Sequence, residues 1–254
     1  MNRKQRRLSA KSGPRPSQKS AELDQAAQRA AAFYQAGRAQ ECEAMCRQIL
    51  DVDEGHDEAN LLVGILLISA GRHEDALPFL KTSLARNRKN PFTHANLGLA
   101  LFEVGRPYEA RESLQTAIRL QPNSPEALAN LANLEASLGN IERAVALHQK
   151  ALALQPRNPV LKANLGGAFL RSGELDKAST IFRELLDANP EDRNAAYGLG
   201  LSARDSGDLS EAEASFRKAM AGDDIHPDAA LQLAWMSDGL DADEADRVRQ
   251  ATTE

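Results

Sequence analysis

The stretch NLGLALFEVG at 96–105 returns with small changes as NLANLEASLG at 130–139 and NLGGAFLRSG at 164–173. Each copy ends in a glycine, and each glycine stands 34 residues from the next. The spacing extends on both sides, so that Gly37, Gly71, Gly105, Gly139, Gly173 and Gly207 form one unbroken series. With 16 glycines in 254 residues, six in one register mark a repeat and not a coincidence. Setting the glycine at position 15 gives six units: 23–56, 57–90, 91–124, 125–158, 159–192 and 193–226.

Other positions fall into the same register. Position 8 is Ala30, Gly64, Gly98, Ala132, Gly166 and Gly200, and position 20 is Cys42, Ala76, Ala110, Ala144, Ala178 and Ala212. Proline recurs at position 1 (Pro91, Pro125, Pro159) and position 32 (Pro122, Pro156, Pro190). Apolar residues at 7 and 11, such as Leu97 with Leu101, form an i, i+4 stripe on a first helix. Glycine at 15 ends that helix, because a left-handed residue costs glycine almost nothing. A polar residue such as Asp176 or Ser210 is expected to cap a second helix striped at 20, 24 and 27. Small residues at 8 and 20 let the two helices approach closely. The fold class is therefore all-α, built from antiparallel helix pairs.

This pattern resembles the tetratricopeptide repeat over 23–226. The resemblance implies a right-handed superhelical solenoid. Position 4 lacks the family's Trp, and Cys46, Leu80, Leu114 or His148 replaces Phe at 24. Residues 227–254 start in register with Pro227, Leu233 and Ala234, but Gly239 comes two residues early. A degenerate seventh repeat or capping helix is expected there.

Residues 1–22 are expected to be a disordered basic tail. The first twenty hold seven Lys/Arg and no acid; without them, 24 basic face 36 acidic residues, a net of −12. An organellar transit peptide, or an arm for nucleic acid or anionic lipid, remains an alternative for the tail. The acidic body opposes RNA binding by the repeats. No apolar run reaches the 18 residues of a membrane span, LLVGILLIS at 61–69 being half that length. A soluble, cytoplasmic protein is expected, and two cysteines, Cys42 and Cys46, fit a reducing compartment.

The resemblance assigns positions 2, 5, 6, 9, 12 and 13 to the concave face. Position 6 carries Asn96, Asn130 and Asn164 in consecutive units. An amide both donates and accepts, so a row of them can match the peptide groups of an extended chain whatever its side chains. The row is similar to the asparagine ladder in the repeat arm of O-GlcNAc transferases. A structural role, bonding neighbouring helices, stays open for it. Asn133, Arg171, Tyr197 and Arg204 complete the expected peptide-binding set. Leu61, Leu62, Ile65 and Ile68 form either a hydrophobic binding patch or a surface buried beneath the N-terminal segment. A carboxylate clamp needs Lys at 5 and Asn at 9 in one unit, and no unit has both.

No nucleophile with a base, no metal-ligand set and no phosphate loop is legible, so no catalytic residue, cofactor or metal is assigned. The expected function is a non-catalytic scaffold that binds an extended peptide or a helix of a protein partner. The alternative is the repeat arm of a sulfotransferase or glycosyltransferase, whose bacterial relatives have a similar MNRKQRR-like start.

Overall fold

A computed structural model describes residues 18–221 and 226–236. Thirteen helices run through them, with no strand among the described residues. The first helices of the six units are α1 (Gln18–Gln35), α3 (Asp57–Ser69), α5 (Pro91–Glu103), α7 (Pro125–Ser137), α9 (Pro159–Ser172) and α11 (Arg193–Ser206). The second helices are α2 (Ala39–Leu50), α4 (His73–Arg86), α6 (Pro107–Leu120), α8 (Ile141–Leu154), α10 (Leu175–Ala188) and α12 (Leu209–Ala219), and α13 (Pro227–Met236) follows. Helix α1 takes in residues 18–22, which the sequence reading gave to the tail. Residues 1–17 and 237–254 of the expected tail and last repeat lie outside the described residues. Among the described residues, no helix is long and apolar enough to cross a membrane.

The six series glycines are left-handed, with φ between +71° and +89°. At Gly105 the chain turns so that Gly105 N–H donates to Phe102 O at 3.0 Å and Arg106 N–H to Leu101 O at 2.8 Å. That is the paired closure that satisfies the last carbonyls of a helix. After one intervening residue the second helix starts, at position 17.

The caps differ from expectation. Asp176 lies inside α10 and Ser210 inside α12. The residue before each second helix is Arg38, Arg72, Arg106, Asn140, Glu174 or Asp208, and of these only Asp208 accepts a backbone N–H. In three units the arginine instead meets an acid three residues on, as in Arg106–Glu109 at 2.7 Å. Apart from Asp208, side-chain capping belongs to the first helices. His56, Asn90, Ser124, Asn158 and Asp192, all at position 34, accept from the N–H groups of α3, α5, α7, α9 and α11. Pro91, Pro125 and Pro159 stand at the first helical position, where a missing N–H loses nothing.

The helices fall into two compact units, Met1–Gln121 and Pro122–Glu254. Within each, a first helix packs on its own second helix, which packs on the next first helix. First helices also touch each other: α1 with α3 and α3 with α5 in one unit, α7 with α9 and α9 with α11 in the other. Pairs of second helices make no contact of that extent. The first helices thus form the tighter, inner layer of each unit.

Position 8 sets the spacing of each helix pair. A Cβ built on Gly64 would stand 2.6 Å from Leu80, on Gly98 2.5 Å from Leu114, and on Gly200 2.5 Å from Phe216. In each case the neighbour is the position 24 side chain of the same unit. One departure from the apolar stripe is Glu135 at position 11, which is fully buried. Asn140 Nδ2 donates to it at 2.7 Å and Arg143 lies 3.4 Å away, so the charge enters the core already compensated.

Gly98→Ala tests the close approach. The added methyl has to displace Leu114 or the helix, with an expected loss of about 1–3 kcal/mol. A urea midpoint equal to that of the parent would show that position 8 has slack.

Candidate functional site

The inner face of Met1–Gln121 is mostly apolar. Leu61 and Leu62 are buried, at 8% and 5% exposure, and Leu62 packs with Ala27, Ala30, Cys42, Cys46 and Ile49. Leu62 therefore lies beneath the N-terminal helices, and neither buried leucine offers an open patch; Ile65 and Ile68 are half-buried. The half-buried Asn96 donates its Nδ2 to Phe92 O of its own helix at 2.9 Å. Asn60, at position 4, is a plainly structural asparagine: it is buried and donates to Glu54 O and His56 O.

In Pro122–Glu254 the corresponding positions carry more polar side chains. Asn130 on α7 and Asn164 on α9 are half-buried, and neither side chain forms a hydrogen bond among the described residues. Asn133 and Arg171 are exposed. Asn164, Gly167 and Arg171 follow one another at helical spacing on α9 and share a face. Sequence reasoning passed over Gly167. It is half-buried, its φ is not positive, and a Cβ built on it would meet nothing within 4 Å.

Tyr197 and Arg204 are already engaged. The Tyr197 ring stacks on His226 with centroids 4.2 Å apart and leans on Phe216 at 5.8 Å. Burial pushes the Tyr197 phenol up from its ordinary value. Arg204 bonds Asp205 and donates to Gln232 Oε1 on α13. Both side chains thus fasten α13 to α11. Beyond them Leu231 and Trp235 project from α13, 49% and 88% exposed.

Underneath lies His148, 2% exposed at position 24 of α8, its Nδ1 without a hydrogen-bond partner. Position 6 of one first helix stands over position 24 of the preceding unit, since a Cβ on Gly198 would fall 2.4 Å from the Phe182 ring. The repeat register therefore sets Asn164 over His148. The remaining titratable groups suggest no chemistry. Burial raises both thiols, Cys46 to about 12, which leaves them protonated and unreactive. Among the described residues no cluster of three or more His, Cys, Asp or Glu is placed to hold a metal.

One model of the tetratricopeptide repeat matches 33–100 and 136–200, more than half of the chain. The chain belongs to the tetratricopeptide repeat family. Two further models of the same repeat match 96–159 and 194–221. Proteins of this family are typically protein-interaction scaffolds. No curated protein matches the chain.

Among solved structures, MamA is 26% identical with a TM-score of 0.53, covering 61% of this chain and 91% of MamA. PilF of Pseudomonas aeruginosa is 17% identical with a TM-score of 0.63, over 91% of this chain and 96% of PilF. PilW, a type IV pilus biogenesis factor, is 18% identical with a TM-score of 0.70, over 82% and 94% of the two chains. At these identities PilF and PilW share the repeat fold with this chain and carry no further argument.

His148 makes the stability of this tetratricopeptide repeat protein depend on pH. Burial, with a smaller contribution from Arg171, lowers its imidazole pKa to about 4. The unfolded chain has the ordinary value of about 6.5, so it takes up a proton that the fold excludes. The contribution is complete above the unfolded value and is lost as pH falls toward 4, by at most about 3 kcal/mol. His148→Phe, matching Phe182 and Phe216, is expected to flatten the urea midpoint between pH 6.5 and 4. A parent and variant with parallel pH profiles would show that His148 protonates freely in the folded chain.

Proposed function

We propose that this protein is a non-catalytic scaffold that binds a partner protein through an extended peptide laid along the first helices of Pro122–Glu254. Repeat membership supports the general role. The observation that carries the specific one is the free hydrogen-bonding capacity of Asn130 and Asn164. An amide out of full solvent is usually drawn into the chain's own network, as the buried Asn60 is and as the half-buried Asn96 is in part. On adjacent first helices, Asn130 and Asn164 keep donor and acceptor available on the inner face. They match the alternating C=O and N–H groups of a strand that has no other partner. The reading resembles an asparagine ladder and rests on these two residues, with Asn133 beside them. Asn96, with one N–H of its amide bonded to Phe92 O, keeps its acceptor and second N–H for the face of its own unit. Tyr197 and Arg204 support the end of the face by holding α13.

The test is binding of the full chain to an array of immobilised decapeptides. Each amide–backbone bond is worth about 0.5–1.5 kcal/mol net, so Asn130→Ala with Asn164→Ala should lower affinity roughly tenfold. The urea midpoint of the double variant should stay at the parent value. Unchanged peptide affinity would defeat the proposal, and a large loss of stability would assign both residues to the fold.

A further inference from the structure

Gly167 has no structural explanation within the chain, unlike the glycines around it. Gly173 and Gly207 take left-handed φ, and Gly166, Gly198 and Gly200 each lie against the ring of Phe182 or Phe216. Gly167 is interior to α9, has ordinary helical φ and faces open space. Glycine there weakens the helix relative to alanine. Its effect on the surface is to leave a gap in the side-chain layer between Asn164 and Arg171. Backbone exposed through such a gap admits the close approach of another chain.

Arg171 indicates which chain. It is exposed, and among the described residues it forms no ion pair. Nearby cations are paired: Lys162 with Glu184 at 2.7 Å, Lys177 with Glu174, and Arg204 with Asp205 at 2.6 Å. The last turn of α9 suits a cation through the helix dipole, but that requirement leaves the guanidinium free to meet an anion. When the 34-residue period is carried into α13, Leu231 and Trp235 fall at positions 5 and 9, the second being the register of Gly167, and both are exposed.

We infer that Gly167 is a binding aperture, over which a partner's extended peptide passes at close range with an acidic side chain on Arg171 and a bulky apolar one on Leu231 and Trp235. This inference rests on the peptide-binding reading above and assigns the partner an acidic-apolar sequence. A methyl group at 167 closes the aperture while improving the helix. Binding and stability therefore move in opposite directions, which no purely structural role for Gly167 produces.

The probe is an array of immobilised decapeptides carrying one Glu and one Leu at every pairwise spacing in a Ser/Ala background, with Gln-for-Glu controls. The full chain is expected to select Glu–Leu peptides of a narrow range of spacings over their Gln controls. Gly167→Ala should weaken the selected peptides at least tenfold and raise Tm by about 2–4 °C. Arg171→Gln should abolish the preference for Glu over Gln. If the Asn130/Asn164 variant loses binding but Gly167→Ala binds as the parent does, the aperture is wrong and the peptide reading stands. If no peptide binds the parent, both fail. A fall in Tm on Gly167→Ala would make the glycine structural and overturn the inference.

Discussion

The contact between position 8 of a first helix and position 24 of its partner governs the geometry of this protein. At Gly64, Gly98, Gly166 and Gly200 there is no room for a methyl group, because a leucine or phenylalanine already fills it. The side chain that fills the gap also supports the next first helix, as Phe182 does beneath Gly198. One close approach therefore fixes two interfaces, the one inside a repeat and the one between repeats. First helices end up touching each other along an inner layer, where position 6 either closes onto the preceding repeat, as Leu62 and Gly198 do, or keeps a half-buried polar group, as at Asn130 and Asn164.

Much of this was legible from spacing alone. A left-handed glycine and a proline at N1 are local demands, so Gly105 or Pro125 declares its role in sequence. The capping error has a physical reason too. After the glycine closure the second helix begins so soon that the preceding residue holds no standard cap geometry, and arginine there pairs with an acid one turn on. The true side-chain caps were available in sequence as the polar residues directly before Pro91, Pro125 and Pro159. Glu135 was not legible as buried, since its compensation by Asn140 and Arg143 exists only once α7 and α8 are paired.

The candidate site was legible in part. Periodicity put Asn96, Asn130 and Asn164 in one class, but whether an amide is spent depends on neighbours that periodicity does not report. Asn96 turns back to Phe92 O, while the other two do not. Tyr197 and Arg204 looked equally available, yet His226 at the end of the same unit and Gln232 in the next take them up. Gly167 went unnoticed because a second glycine after Gly166 reads as redundancy. Its meaning appears only when the space around each glycine is compared.

The first-helix caps also say where one repeat stops and the next begins as a transplantable piece. His56, Asn90, Ser124, Asn158 and Asp192 close one 34-residue period in sequence, yet each serves the helix that follows. A cut just before Pro159 would strip α9 of its cap and leave Asn158 stranded on the wrong fragment. A cut at the glycine turn would keep every capped helix intact while separating each first helix from its own partner. The natural module for shuffling or grafting is therefore not the period defined by the glycines. It starts one residue earlier, with the cap.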